Sequence, residues 1–186
     1  MAFTVVYDAD VLHPPSVRDL LLRLAVTGLF QARWSEQILD EMVDSIIRQR
    51  PELAARLART RALMCDAVQD CVVAGYEDLI DGLVLPDPDD RHVLAAAIRC
   101  SAQVIVTNNI RDFPADTLAP YGIQAQTADE FVVNLCELAP AAVRTVVETQ
   151  AAALRKPPQS TDELLSRLQD RGLFQSVAFL RQLLRR

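Results

Sequence analysis

Three aspartates fall within four positions of the stretch PDPDDRHVLAAAI, residues 86–98: Asp87, Asp89 and Asp90, with an apolar run directly behind them. One aspartate opening a helix needs no chemical explanation, because its carboxylate accepts from the free amides of the first turn. Three call for one. Val93, Leu94, Ala97 and Ile98 stand three, four, seven and eight residues after Asp90, so Asp90 shares the helix face that must be buried. Asp89 is offset by about 100° and suits a solvated cap. Asp87, ahead of Pro88, belongs to the loop, where it caps the helix or reaches a site. On pattern alone, a reading in which all three only cap and complement the helix dipole stays open.

Other acids fall where a sheet would end. Asp8 closes the run FTVVY, and Asn108 and Asn109 follow VIV. In open α/β sheets ligands bind outside the carboxyl ends of the strands. Asp8 is not needed to start the next long helix, since Pro14, Pro15 and Ser16 supply that start six or more residues later. Asp10 is either part of the site or a turn residue bonded to its own backbone. Asp40 and Glu41 each sit about 130° from the centre of their helix's apolar stripe, so periodicity does not choose between them. Asp112, in TNNIRDFP, is a loop residue and a candidate ligand. Two carboxylates 5 Å apart repel by about 3 kcal/mol at an effective dielectric near 20. A cluster of them takes up protons or binds a cation, and an all-oxygen set selects Mg²⁺ or Mn²⁺. Such an ion activates water and neutralises a phosphate, which points to phosphoester hydrolysis.

The elements that must position these groups are legible as hydrophobic runs. FTVVY, CVVAG, AQVIVTN and a weaker GIQAQT read as strands, and LVL before Pro86 as an irregular apolar piece. Between them lie PPSVRDLLLRLAVTG, with Ser16 as N-cap and Gly28 as stop, and WSEQILDEMVDSIIRQR, which Pro51 ends or restarts. ELAARLARTRALMCDAV and DDRHVLAAAIRC complete the set, and Thr127 and Glu130 form a capping box at the head of TADEFVVNLCEL. Strands alternating with helices imply a three-layer α/β sandwich around a central parallel sheet.

After residue 139 the chain reads as helical only, which divides it into a catalytic unit, 1–139, and a C-terminal helical extension, 140–186. Ser160 and Glu163 form a second capping box, and Gly172 suits the turn between the last two helices. The apolar stripe of LFQSVAFLRQLL needs cover from its own body, a second protomer or a partner.

The chain has 186 residues, 51% hydrophobic, which suits one compact domain. Net charge is −6, split between 11 Lys+Arg against 21 Asp+Glu in residues 1–139 and 8 against 4 in residues 140–186. An acidic body argues against a broad basic nucleic-acid face, yet bound cations reverse the local field. Four cysteines without a C-x-x-C pair, and only two histidines, disfavour a zinc site and suit buried thiols. No apolar run reaches the length of a membrane span, and Asp8 and Asp10 interrupt the N-terminal run, so the expected compartment is the cytoplasm.

At these residues the sequence resembles PIN-domain ribonucleases, the fold of VapC-type toxins. VVYDADVL is similar to the family's opening motif, WSEQILDEM to the helix that carries its second acid, here Glu41, and DPDDRHVLAAAI to the helix that carries its third, here Asp90. QVIVTNNIRDFP is similar to the segment with the fourth acid, but Asn109 stands in that place, and Asp112 is the candidate for the missing carboxylate. The resemblance covers most of residues 3–131. It implies a PIN-like sandwich and a Mg²⁺- or Mn²⁺-dependent endoribonuclease cutting structured RNA to 3′-hydroxyl and 5′-phosphate ends. Asp8 and Asp90 would be the main metal ligands, Glu41 would orient water or a second ion, and Asp112, Thr107, Asn108 and Asn109 would line the site. It further implies an antitoxin partner that blocks the acidic pocket, and a homodimer.

Two rival readings are a catalytically degenerate PIN module that binds RNA or protein, favoured by Asn109, and a haloacid-dehalogenase-like phosphatase with Asp8 as nucleophile. The second needs a lysine in the α/β body, and the chain's single lysine is Lys156.

Overall fold

The computed structural model describes residues 2–185. Phe3–Tyr7 forms β1, and Val5, Val6 and Tyr7 are wholly buried, as a β-branched run without alternation requires in a sheet covered on both faces. A short helix, α1 (Ala9–Leu12), leads into α2 (Pro15–Val26). β2 (Phe30–Ser35) runs directly into α3 (Glu36–Gln49), whose first turn is capped by the Ser35 hydroxyl accepting from the Ile38 amide. Pro51 stops that helix, and a 3-10 turn hands the chain to α4 (Ala54–Ala67). β3 (Val72–Val73), α5 (Glu77–Ile80), α6 (Arg91–Arg99), β4 (Val104–Val106), α7 (Ala115–Leu118) and β5 (Gln124–Gln126) follow. The chain closes with α8 (Ala128–Leu138), α9 (Pro140–Ala153), α10 (Thr161–Asp170) and α11 (Phe174–Leu184).

All five strands are parallel, in the order β3-β2-β1-β4-β5, with helices on both faces. β1 is central. The chain first builds outward through β2 and β3, then returns by α6 to add β4 on the other side. The order therefore reverses between β1 and β4, and a crevice opens at their carboxyl ends, where such sheets take ligands. Beneath it the core is aromatic: Tyr7 stacks on Trp34 with ring centroids 6.3 Å apart, and Phe30 meets Phe131 edge-on at 5.1 Å. The Tyr7 hydroxyl donates to the Leu21 carbonyl at 3.0 Å.

Three local readings change. Phe30–Ser35 is a full strand, although helical spacing in the sequence begins at Trp34. Phe30, Ala32 and Trp34 are buried while Gln31 is exposed, so the two-residue alternation of a strand is present but short and followed at once by helical spacing. Ser16 does not cap α2, which starts one residue earlier with Pro15 at its first position. Asp89 does not cap α6; the Asp87 carboxylate accepts from the Asp89 amide at 2.9 Å and shapes the turn before it. All four cysteines are free, and burial pushes the Cys71 and Cys136 thiols up to about 12.

The last helices cover their own body. α9 lies against α2, with the Gln150 amide donating to the Ser16 carbonyl at 3.0 Å, and α10 packs on α2 and α9. α11 packs on α8, burying Val177 and Leu180. No side chain of its own caps α11; Asp129, on α8, accepts from the Gln175 and Ser176 amides and from the Ser176 hydroxyl at 2.7–2.9 Å. A carboxylate that satisfies two orphaned helix amides across an interface joins local capping to tertiary packing. Asp129→Ala is expected to cost about 1–3 kcal/mol in chemical denaturation, with Asp129→Asn costing less. Equal stability of Asp129→Ala and the wild type would remove this cap from the account.

Candidate active site

The crevice between β1 and β4 is built by hydrogen bonds that cross it. The Asp8 amide donates to the Val106 carbonyl at 3.0 Å, tying the two strand ends together. The Asp8 carboxylate is buried, 6% exposed; Oδ1 accepts from the Ala9 amide at 2.7 Å and Oδ2 from the Thr107 hydroxyl at 2.9 Å. Asp8 therefore starts α1 and lies in the crevice at once. Thr107 is fully buried, and its hydroxyl also accepts from the Asn109 amide at 3.1 Å. Asn108 braces the loop from the outside, its Oδ1 accepting from the Ala128 amide at 3.2 Å.

Asp10 belongs to this network. Its Oδ2 accepts from the Asn108 amide at 2.8 Å, across the crevice rather than within its own turn, and its Oδ1 is buried with no hydrogen-bond partner. Asp90 shares that condition: it precedes α6 without capping it, and its Oδ2 is buried and unpartnered. The Asp90 side chain thus makes no cap hydrogen bond to the helix it precedes.

α3 brings Glu41 to the same place. Glu41 Oε1 lies 2.8 Å from His92 Nε2, a close approach without the alignment of a formed hydrogen bond. His92 is 2% exposed, on the first turn of α6. Asp40, one residue away, turns outward instead and pairs with Arg61 of α4, which also holds Glu36. Asp112 sits in the 3-10 turn after β4 with its side chain 14% exposed and Arg111 3.7 Å away. Asn109 makes no side-chain hydrogen bond at the head of that turn.

The charges act on one another. Burial, then repulsion from Asp8, pushes the Asp10 carboxyl up to about 7 despite the Asn108 amide. Burial, then repulsion from Asp8, Asp87 and Asp112, pushes Asp90 up to about 6. Burial raises Asp8 as well, against the Thr107 hydroxyl and the Ala9 amide, with Glu41 adding to the rise. The structure thus brings Asp8, Glu41, Asp90, Asp112 and Thr107 into one electrostatic neighbourhood. It adds Asp10 and His92, to which the sequence by itself assigns no definite part in the centre. Asp10 carries a signal in its spacing of two from Asp8 at a strand end; His92, the second residue of α6, carries none.

Among the described residues, no three carboxylate, imidazole or thiol groups are arranged so that they would hold a metal ion by themselves. The donor chemistry nevertheless fits a hard divalent cation. Two buried carboxylate oxygens, Asp10 Oδ1 and Asp90 Oδ2, have no partner, and neighbouring acids raise both groups. Mg²⁺ keeps several waters and needs only one or two direct carboxylates.

Comparison with known proteins agrees with this geometry. The PIN domain family matches residues 4–111, and a family described as the VapC50 C-terminal domain matches residues 128–182. The putative ribonuclease VapC50 of Mycobacterium tuberculosis (strain ATCC 25618 / H37Rv) is 42% identical over 94 residues, 50% of this chain and 55% of that protein. The match thus spans about half the length of that curated relative. No solved structure matches the chain. With a family match over more than half its length, the chain belongs to the PIN-domain family.

Proposed function

We propose that this chain is a Mg²⁺- or Mn²⁺-dependent endoribonuclease that hydrolyses phosphodiesters of structured RNA, as the toxin of a toxin–antitoxin pair. The observation that carries the reading is the pair of unpartnered, buried carboxylate oxygens of Asp10 and Asp90 beside Asp8, at the carboxyl edge of a PIN-family sheet. The name of the similar mycobacterial protein, a putative ribonuclease, supports the same chemistry.

Asp8 and Asp90 would hold the metal, with Asp10 beside them and Glu41 and Asp112 at the rim. When bound, a hard divalent cation lowers the pKa of water and neutralises a phosphate under attack. The chain's own residues do the positioning. The Thr107 hydroxyl and the Ala9 amide lock the Asp8 carboxylate in one orientation and leave further lone pairs free. Glu41, half-exposed beside His92, is set to accept a proton from the attacking water. Asn109 lines the site without a charge, and Asn108 braces the loop that carries it. Scission by water leaves 3′-hydroxyl and 5′-phosphate ends.

Residues 1–139 would form the catalytic unit and 140–186 its helical extension. An antitoxin that covers the acidic crevice, and a homodimer, complete the proposal. No helix among the described residues is long and apolar enough to cross a membrane. A module that binds RNA or protein without cutting has Asn109 in its favour and the charge of Asp112 near Asp90 against it. Purified protein is expected to cut structured RNA in Mg²⁺ or Mn²⁺ and to stop in EDTA, with 5′-phosphates on the new ends. Undiminished cutting in EDTA overturns the metal-dependent reading, and no cutting with any divalent ion favours the non-cleaving module.

A further inference from the structure

At the other end of α1 from Asp8 lies a cavity of ≈ 390 Å³ into which four arginines converge: Arg18 from α2, Arg50 after α3, Arg56 from α4 and Arg171 from the turn between α10 and α11. Such a gathering of cations is anomalous in a chain of net charge −6. Arg50 is paired with Glu52 at 2.9 Å, but among the described residues Arg18, Arg56 and Arg171 form no ion pair. Arg18 is held in place by the carbonyls of Leu12 and His13, at 2.8 and 3.3 Å, so its guanidinium is oriented before any ligand arrives. The local field is positive: burial, then the charges of Arg18 and Arg171, lower the pKa of His13 at the cavity wall. Guanidinium groups so arranged match the oxygens of a phosphate.

We propose that this cavity is a phosphate site that holds the backbone of the RNA strand a few nucleotides from the scissile bond, an inference that rests on the ribonuclease reading. The four-residue α1 separates the two sites by only about 6 Å of helix axis, a separation within the span of a few nucleotides. A strand bound across them is gripped by cations at one point and presented to the acidic centre at the other. Arg171 gives the C-terminal extension a direct part in substrate binding. An acidic segment of a partner protein is the competing occupant; the position of the cavity one short helix away from the acidic centre favours RNA.

The test uses the full-length chain in EDTA and a fluorescent single-stranded RNA oligonucleotide read by anisotropy. Arg56→Gln combined with Arg171→Gln is expected to weaken binding about ten-fold near 0.1 M salt, and to flatten the log–log salt slope by about 0.7 for each phosphate no longer neutralised. Cleavage in Mg²⁺ should show a raised KM with kcat nearly unchanged. Should the double variant fail to melt cooperatively, Arg171→Gln alone, at an exposed turn residue, reads the same slope. Unchanged affinity and slope overturn the proposal. So does loss of polyglutamate binding with RNA binding intact, which assigns the cavity to an acidic protein segment. If RNA binding depends on Arg56 and Arg171 but no divalent ion supports cutting, the phosphate site stands and the nuclease reading falls. If the wild type neither binds nor cuts RNA, both fall.

Discussion

Asp90→Asn is expected to raise the melting temperature of the metal-free protein and to abolish RNA cleavage in Mg²⁺. The carboxyl is pushed up to about 6 by burial and by Asp8, Asp87 and Asp112, against an ordinary value of 3.8. Between those two values the folded chain binds the proton that the unfolded chain has released, so stability falls as pH rises through the window. The cost is absent below about pH 4 and complete above about pH 6. Partial exposure screens it, leaving about 1–2 kcal/mol, or about 2–8 °C in a chain of this size. Asparagine keeps the shape and removes the charge. Added Mg²⁺ should stabilise the wild type by mass action and the variant much less. A variant that cuts RNA normally and melts with the wild type in EDTA at pH 8 would return Asp90 to a structural role.

Asp10→Asn should give the larger gain in stability. Asp10 is more deeply enclosed, its carboxyl is pushed up to about 7, and one of its oxygens has no partner. Asparagine keeps an acceptor for the Asn108 amide, whose bond measures 2.8 Å, so the crevice is not unlaced. At pH 8 in EDTA the variant is expected to gain about 2–4 kcal/mol. Below about pH 4 the gain should vanish, because both states then hold the proton. Combined with Asp90→Asn the gains should fall short of additivity, since each substitution relieves repulsion the other also relieves. Calorimetric Mn²⁺ titration should show weaker binding to Asp10→Asn. Unaltered melting at pH 8 together with unaltered Mn²⁺ binding would mean that this carboxylate is solvated and outside the centre.

Much of this molecule follows from short-range pattern. The buried runs of β1 and β4 are strands because β-branched residues without alternation fit only a sheet covered on both faces. Thr127 with Glu130 and Ser160 with Glu163 open their helices as the spacing requires, because a capping box closes within four residues. Asp90's place on the inward face follows from the apolar residues behind it; one of its oxygens is buried without a partner, and the side chain caps nothing. Other features depend on what stands opposite in space. Asp40 and Glu41 flank one stripe symmetrically, and nothing in α3 separates them. Arg61 of α4 draws Asp40 outward, and the crevice holding His92 and Asp8 receives Glu41. Asp10 is a turn residue by local rules and joins the centre only because the parallel register of β1 with β4 brings the Asn108 amide to it. Asp129 caps a helix that begins 45 residues later in the chain, and the four arginines of the cavity come from four separate segments. Periodicity determines which face of an element turns inward; the packing of elements remote in sequence decides which groups meet there.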